Sequence, residues 1–230
     1  MGHQYTYLLM GLVFLVVWLA LFVLRKNTRK EMLVMSLVFA FAGPLADILY
    51  TQDWWRPLSL TNTTIGPEAL LVGFMIGGIA SIIYEVIFQK RLETHKVFKA
   101  KEAQRNFSFL SILLISAILF FGSFYLLKFN SLFSTILALL VPTIMIWIKR
   151  RDLILDSFGT GIFLVIVASL VYSVLEFLTP GWVHAFWFFK NVPDIIIFNL
   201  PLDDIIWYFL AGLFIGPLYE YWQESKLVDN

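Results

Sequence analysis

The segment Leu200–Glu220, LPLDDIIWYFLAGLFIGPLYE, decides how the chain is read. It has the length and apolar character of a membrane-spanning helix, since a hydrocarbon core about 30 Å thick takes ~20 residues at 1.5 Å each. Yet it opens with two carboxylates, Asp203 and Asp204. The pattern has an earlier counterpart: Glu68–Glu85 reads EALLVGFMIGGIASIIYE, and Asp203–Glu220 reads DDIIWYFLAGLFIGPLYE. Both begin with an acid closely following a proline. Both end in Tyr-Glu, and both hold their terminal acids 17 positions apart. Trp54 and Trp55 precede one, Trp182 and Trp187 the other, and each tryptophan loop follows an apolar stretch with an acid near its end, Asp47 or Glu176. Two copies of one unit are predicted.

The rest of the chain agrees with a membrane setting. Of 230 residues, 60% are hydrophobic, 17% aromatic and 14% charged, where a soluble domain carries about 25% charged residues. Seven spans are predicted: Tyr5–Leu24, Met32–Tyr50, Pro67–Phe88, Phe107–Leu127, Ser131–Ile148, Ser157–Leu178 and Leu200–Trp222. Of the 17 lysines and arginines, 14 fall in the first, third and fifth loops and the tail, and 3 (Arg56, Lys128, Lys190) on the other side. Positive charge marks the cytoplasmic side, so the N-terminus is expected outside and the C-terminus inside. MGHQYTY has no basic residue and precedes the apolar run, which speaks against a cleaved signal peptide. With span 4 between them, spans 1–3 and 5–7 point the same way: two parallel three-helix repeats, residues 1–106 and 131–230, joined by 107–130. The expected fold is thus an all-α, multi-pass protein of the cell membrane. Pro142 in span 5 requires a neighbour to satisfy the carbonyl it frees.

The acids separate by depth. Glu85 and Glu220, beside Tyr84 and Tyr219, are expected to be anchors at the cytoplasmic interface. Asp47, Glu68, Glu176, Asp203 and Asp204 fall near the outer leaflet. In first helical turns, Glu68, Asp203 and Asp204 can be explained as caps that favour the helix dipole. Asp47 and Glu176 lie near C-terminal ends, where that explanation fails. Acids inside a membrane are functional candidates. One carboxyl kept neutral by apolar surroundings can serve as general acid and a second as base. The ring faces of Trp54, Trp55, Trp182, Trp187 and Trp207 can stabilise a cation, although an interfacial aromatic belt explains single tryptophans equally well. Acid, base and aromatic cradle together suit proton-driven rearrangement of a lipophilic polyene.

Pro201-Leu202-Asp203-Asp204 resembles the Pro-x-Glu-(Glu/Asp) motif of the lycopene cyclase domain family, the membrane-integral cyclases of heterodimeric bacterial, archaeal and fungal fused types. The order of helix-end acid, aromatic loop, motif and apolar helix is also similar, and the resemblance covers nearly the whole chain, implying both halves in one polypeptide. Two departures stand out. Asp203 replaces the usual Glu, and the first copy, Ile65-Gly66-Pro67-Glu68-Ala69, has its proline one position late and alanine for the second acid. The resemblance implies an isomerase-type, redox-neutral reaction of carotenoid biosynthesis: protonation of a terminal double bond, ring closure of the cation, and loss of a proton. Asp203 and Asp204 match the motif, and Glu68 matches by repeat. Asp203 and Glu68 are the best candidates for general acid, with Asp204, Glu176 or Asp47 as base or orienting partner.

No cofactor is implied, as no Gly-x-Gly-x-x-Gly fingerprint for a bound flavin occurs. No metal site is predicted: there is no cysteine, and His3, His95 and His184 lie in separate segments. The expected partners are a lycopene-like polyene and membrane lipids, which the Lys90–Arg105 loop contacts; no nucleic acid is implied. Asn62-Thr63-Thr64 is a glycosylation sequon. His184 reads as a surface residue. A retinal pigment is excluded by the absence of lysine from the seventh span. A proton-coupled transporter or a carotenoid-binding scaffold would use the same acids without chemistry.

Overall fold

The computed structural model describes residues 3–94 and 108–229. His95, Lys96, Lys99, Lys101, Arg105 and the start of the fourth predicted span lie outside them. The chain is mostly helical. Six helical stretches are long and apolar enough to cross a membrane, as expected of an all-α membrane protein. They contain α1 (Thr6–Leu24), α2 (Arg29–Asp53), α3 (Glu68–Ile87), α5 (Ser131–Lys149), α6 (Ile154–Leu178) and the pair α8 (Leu202–Ile215) and α9 (Leu218–Gln223), which Gly216-Pro217 interrupts. A shorter apolar helix, α4 (Phe109–Tyr125), falls at the fourth expected span. Its 17 residues are the lower limit for crossing a bilayer. The short α7 is Trp182–Phe186.

α2 and α6 extend beyond the predicted spans at their N-terminal ends. Their first turns carry Glu31 and Asp156, which hydrophobicity does not register but which the helix dipole favours. α3 lies tightly along α2. A methyl at Gly73 would come within 2.4 Å of the Phe39 carbonyl oxygen, and one at Gly43 within 2.1 Å of the Ala69 oxygen. Small residues permit such approach in apolar surroundings, where no hydrophobic effect drives helices together. Pro142 bends no unsatisfied backbone into the bundle, because Ser116 of α4 donates to the Ala138 carbonyl it frees, at 2.8 Å.

Two reciprocal contacts join the halves at opposite ends of α3 and α8–α9. After α3, Gln89 adopts a left-handed φ of 51°; after α9, Glu224 adopts 50°. Each leads into a strand, β1 (Lys90–Thr94) or β4 (Ser225–Asp229), and the two pair antiparallel, with Lys90 opposite Asp229, Leu92 opposite Leu227 and Thr94 opposite Ser225. Each residue's counterpart 135 positions later sits across the ladder with the same partner relation. At the other end, Trp55 and Trp187 form an antiparallel bridge. Arg56 N–H donates to the Phe186 carbonyl and Phe188 N–H to that of Trp54, both at 2.8 Å. A two-residue hairpin, β2 (Ile196–Ile197) and β3 (Leu200–Pro201), turns through Phe198 and Asn199 at φ 51° and 63°. That double left-handed geometry is the one favoured in tight hairpins, and it delivers Pro201 to the start of α8.

Candidate functional site

Between α1, α2, α3, α4, α5, α6 and α8, next to the tryptophan bridge, lies a cavity of about 430 Å³. Aromatic and aliphatic side chains make most of its wall. Asp47 and Asp204 are the acids that line it. Exposed Phe41 and Leu45 of α2 and Leu114 of α4 belong to the same wall. α2 packs mainly on α3, and α4 mainly on α5, and through these exposed side chains the cavity reaches the molecular surface on the side of α2 and α4.

Each lining acid has a tyrosine. Tyr7 of α1 donates its hydroxyl to Asp47 Oδ2 at 3.1 Å. Tyr172 of α6 donates to Asp204 Oδ2, and Trp187 Nε1 donates to Asp204 Oδ1 at 3.4 Å. Both Asp204 oxygens therefore accept hydrogen bonds, and Asp47 likewise has a tryptophan, Trp55, beside its tyrosine. Deeper, Trp207 Nε1 donates to the Tyr50 hydroxyl at 2.8 Å, and Tyr50 and Thr135 share a bond at 3.0 Å. Tyr7, Tyr50, Tyr172 and Tyr208 all line the cavity. The sequence reading missed them. A signal was present: counted from the start of the 25-residue helices α2 and α6, Asp47 and Tyr172 hold the same position. Matching Asp47 to Glu176 by residue type obscured it.

The other predicted acids lie elsewhere. Asp203 is buried at the start of α8, and its Oδ1 accepts the Asp204 N–H at 3.0 Å. Glu68 is buried at the start of α3, and its Oε1 accepts the Leu60 N–H at 2.7 Å, pinning the preceding loop. Glu176 accepts the Gly181 N–H at 2.8 Å and lines a separate small cavity with His184 and Asn199. Trp54, Trp55, Trp187 and Trp207 line the main cavity. Trp182 does not; fully buried, it packs against the rings of Tyr172 and Trp187, at 4.8 and 5.3 Å. Arg56 and Lys190 flank the Phe188 ring at 5.7 and 5.0 Å. His184 is exposed, 3.6 Å from Asp194.

Glu85 and Glu220 depart from expectation. They are not interface anchors but buried, at 1% and 0% exposure, in one group with Glu31 and Asp156. The sequence reading saw each acid at a helix end; the packing of α2, α3, α6 and α9 turns all four inward.

An apolar cavity that reaches the molecular surface, with two tyrosine-held carboxyls, can receive the end of a lipophilic chain and exchange protons with it. Residues 130–222 match the family model described as Lycopene cyclase. That stretch of the second half is similar to this family. The matched stretch includes Tyr172, Trp187, Asp203, Asp204 and Trp207. No curated protein and no solved structure matches the chain.

Proposed function

We propose that the protein is a membrane carotenoid cyclase that closes an end group of lycopene or a similar linear isoprenoid without a cofactor. The observation that carries this reading is the pair Asp47 and Asp204 on the wall of one apolar cavity. The lycopene cyclase match over residues 130–222 supports it.

In this reading seven helices cross the cell membrane, with the N-terminus outside and α4 as the connecting span. Spans 1–3 and 5–7 are parallel repeats about an axis near the membrane normal. The reciprocal contacts at Trp55–Trp187 and Leu92–Leu227 support that axis, since both would lie on it. The polyene slides in from the bilayer between α2 and α4 and lays its end group between the two carboxyls.

Asp47, on the cavity wall, delivers a proton to the terminal double bond. The resulting cation is attacked by the next double bond, and the ring closes. Trp55, Trp187 and Trp207 present ring faces that favour the positive charge. Asp204, whose oxygens accept hydrogen bonds from Tyr172 and Trp187, takes the departing proton. One proton enters and another leaves, so substrate and product are isomers. Asp203 and Glu68, which the sequence made the donors, instead hold backbone amides at the mouths of their helices.

Expression in a lycopene-accumulating bacterium, followed by pigment chromatography, tests the reading. The wild type is expected to yield a cyclic carotene, and Asp47→Asn and Asp204→Asn to leave linear pigment at normal protein levels. Full activity in both variants would refute the assignment. Absence of cyclic product from several linear carotenoids would favour a binding protein instead.

A further inference from the structure

The cyclase reading leaves unused the buried acids at the far end of the bundle. Glu31 precedes Asp47 by 16 positions on α2, which puts the group roughly 24 Å along the helix from the cavity. Single carboxylate oxygens, one each from Glu31, Glu85 and Glu220, lie within 4.8 Å of one another. Asp156 is close enough to interact with all three. One Asp156 oxygen accepts a hydrogen bond from Thr160 at 3.3 Å. Independently of the clustering, both oxygens of Glu31 and Oδ2 of Asp156 have no hydrogen-bond partner among the described residues, and the carboxyls of Glu85 and Glu220 lie against each other. All four side chains are buried. The nearest arginines do not repair this. Arg25 donates to the Glu85 backbone carbonyl at 2.8 Å and Arg150 to that of Glu220 at 3.5 Å. Arg150 is itself paired with Asp152 at 2.7 Å.

We propose that Glu31, Glu85, Asp156 and Glu220 bind one divalent cation. Buried carboxylates without donors are costly unless paired or coordinated to a metal. A group of carboxylates alone, with no histidine or cysteine in it, selects a hard cation of the Mg²⁺, Ca²⁺ or Mn²⁺ class. Its ligands come from α2 and α3 in one half and from α6 and α9 in the other. The cation therefore clasps the two halves and takes no part in the chemistry at Asp47 and Asp204.

The probe is Mn²⁺ alone, added to the full chain purified in detergent and stripped with EDTA. Paramagnetic resonance of free Mn²⁺ is expected to reveal one bound ion per chain, displaced by excess Mg²⁺ or Ca²⁺. At about 100 times the dissociation constant, the melting temperature is expected to rise by roughly 5–10 °C. The Glu31→Gln/Glu220→Gln variant is expected to lose both responses. Should it not fold, Asp156→Asn, which keeps an oxygen for Thr160, is expected to bind Mn²⁺ at least roughly tenfold more weakly, since one charged ligand is gone. No Mn²⁺ bound by the wild type would overturn the proposal, and so would unchanged binding in the folded variant. Neither result bears on the cyclase reading, which pigment chromatography decides separately.

Discussion

Asp204 works through its neighbours. Tyr172 and Trp187 hold its two oxygens, and Asp203 holds its amide. Loss of a general acid or base costs about 10²–10⁴-fold in rate, so Asp204→Asn is expected to fall in that range, read as turnover of linear to cyclic pigment. Tyr172→Phe removes one hydrogen bond to a charged group, worth about 1.5–3 kcal/mol. It should slow turnover roughly ten- to a hundredfold, with little change in KM. Asp203→Asn and Glu68→Gln separate the sequence reading from the structural one. As donors, both positions would lose activity on amidation. As acceptors for backbone N–H groups, both amides keep an oxygen, and turnover within about tenfold of the wild type is expected by the rule that a neutral hydrogen bond nets about 1 kcal/mol. Asp47, Glu68, Glu176, Asp203 and Asp204 were legible as a set because carboxylates stand out in apolar sequence. Which of them face a common cavity was not, because one residue along a helix turns a side chain by about 100°. Asp203 and Asp204 differ by that step alone.

At the scale of elements, hydropathy located the long apolar helices to within a few residues, because an apolar run of the required length has few other uses. It did not find the two-residue hairpin before α8, which is too short for periodicity and depends on Phe198 at an uncommon positive φ. Nor did it register the charged first turns of α2 and α6. The glycines along α3 are tested by substitution. Gly73→Ala forces a methyl against the Phe39 carbonyl, and overpacking of this kind costs about 1–3 kcal/mol. Gly122→Ala on α4 meets nothing within 4 Å and should leave the melting temperature in detergent unchanged or slightly raised. Equal destabilisation by both would remove close packing as the reason for glycine at 73. Orientation is read by reporter fusions after Lys30, Arg105 and Arg151. All three are expected in the cytoplasm, and a periplasmic signal from any one would move the cavity to the other leaflet.

For the whole molecule, the proposed pseudo-two-fold axis runs through the Trp55–Trp187 bridge and the Leu92–Leu227 pair. The matched pair Glu68–Glu85 and Asp203–Glu220 hinted at it; the ladders between halves were hidden, because strand pairing between distant segments leaves no local signal. The chain has no cysteine, so a Leu92→Cys/Leu227→Cys variant offers a clean background. Directly opposed residues of an antiparallel pair have Cβ atoms about 4.5–5.5 Å apart, near disulfide range, and rapid cross-linking under mild oxidant is expected, with Leu92→Cys/Leu60→Cys unlinked. The cavity, the two carboxyls and the portal matter only if together they deliver a proton and remove another. Turnover of lycopene by the detergent-purified protein in D₂O measures this directly. The cyclic product is expected to carry one deuterium for each ring closed, and to have the substrate's own mass when formed in H₂O. Rings formed without deuterium, or no cyclic product from a folded protein, would contradict the acid–base cyclisation.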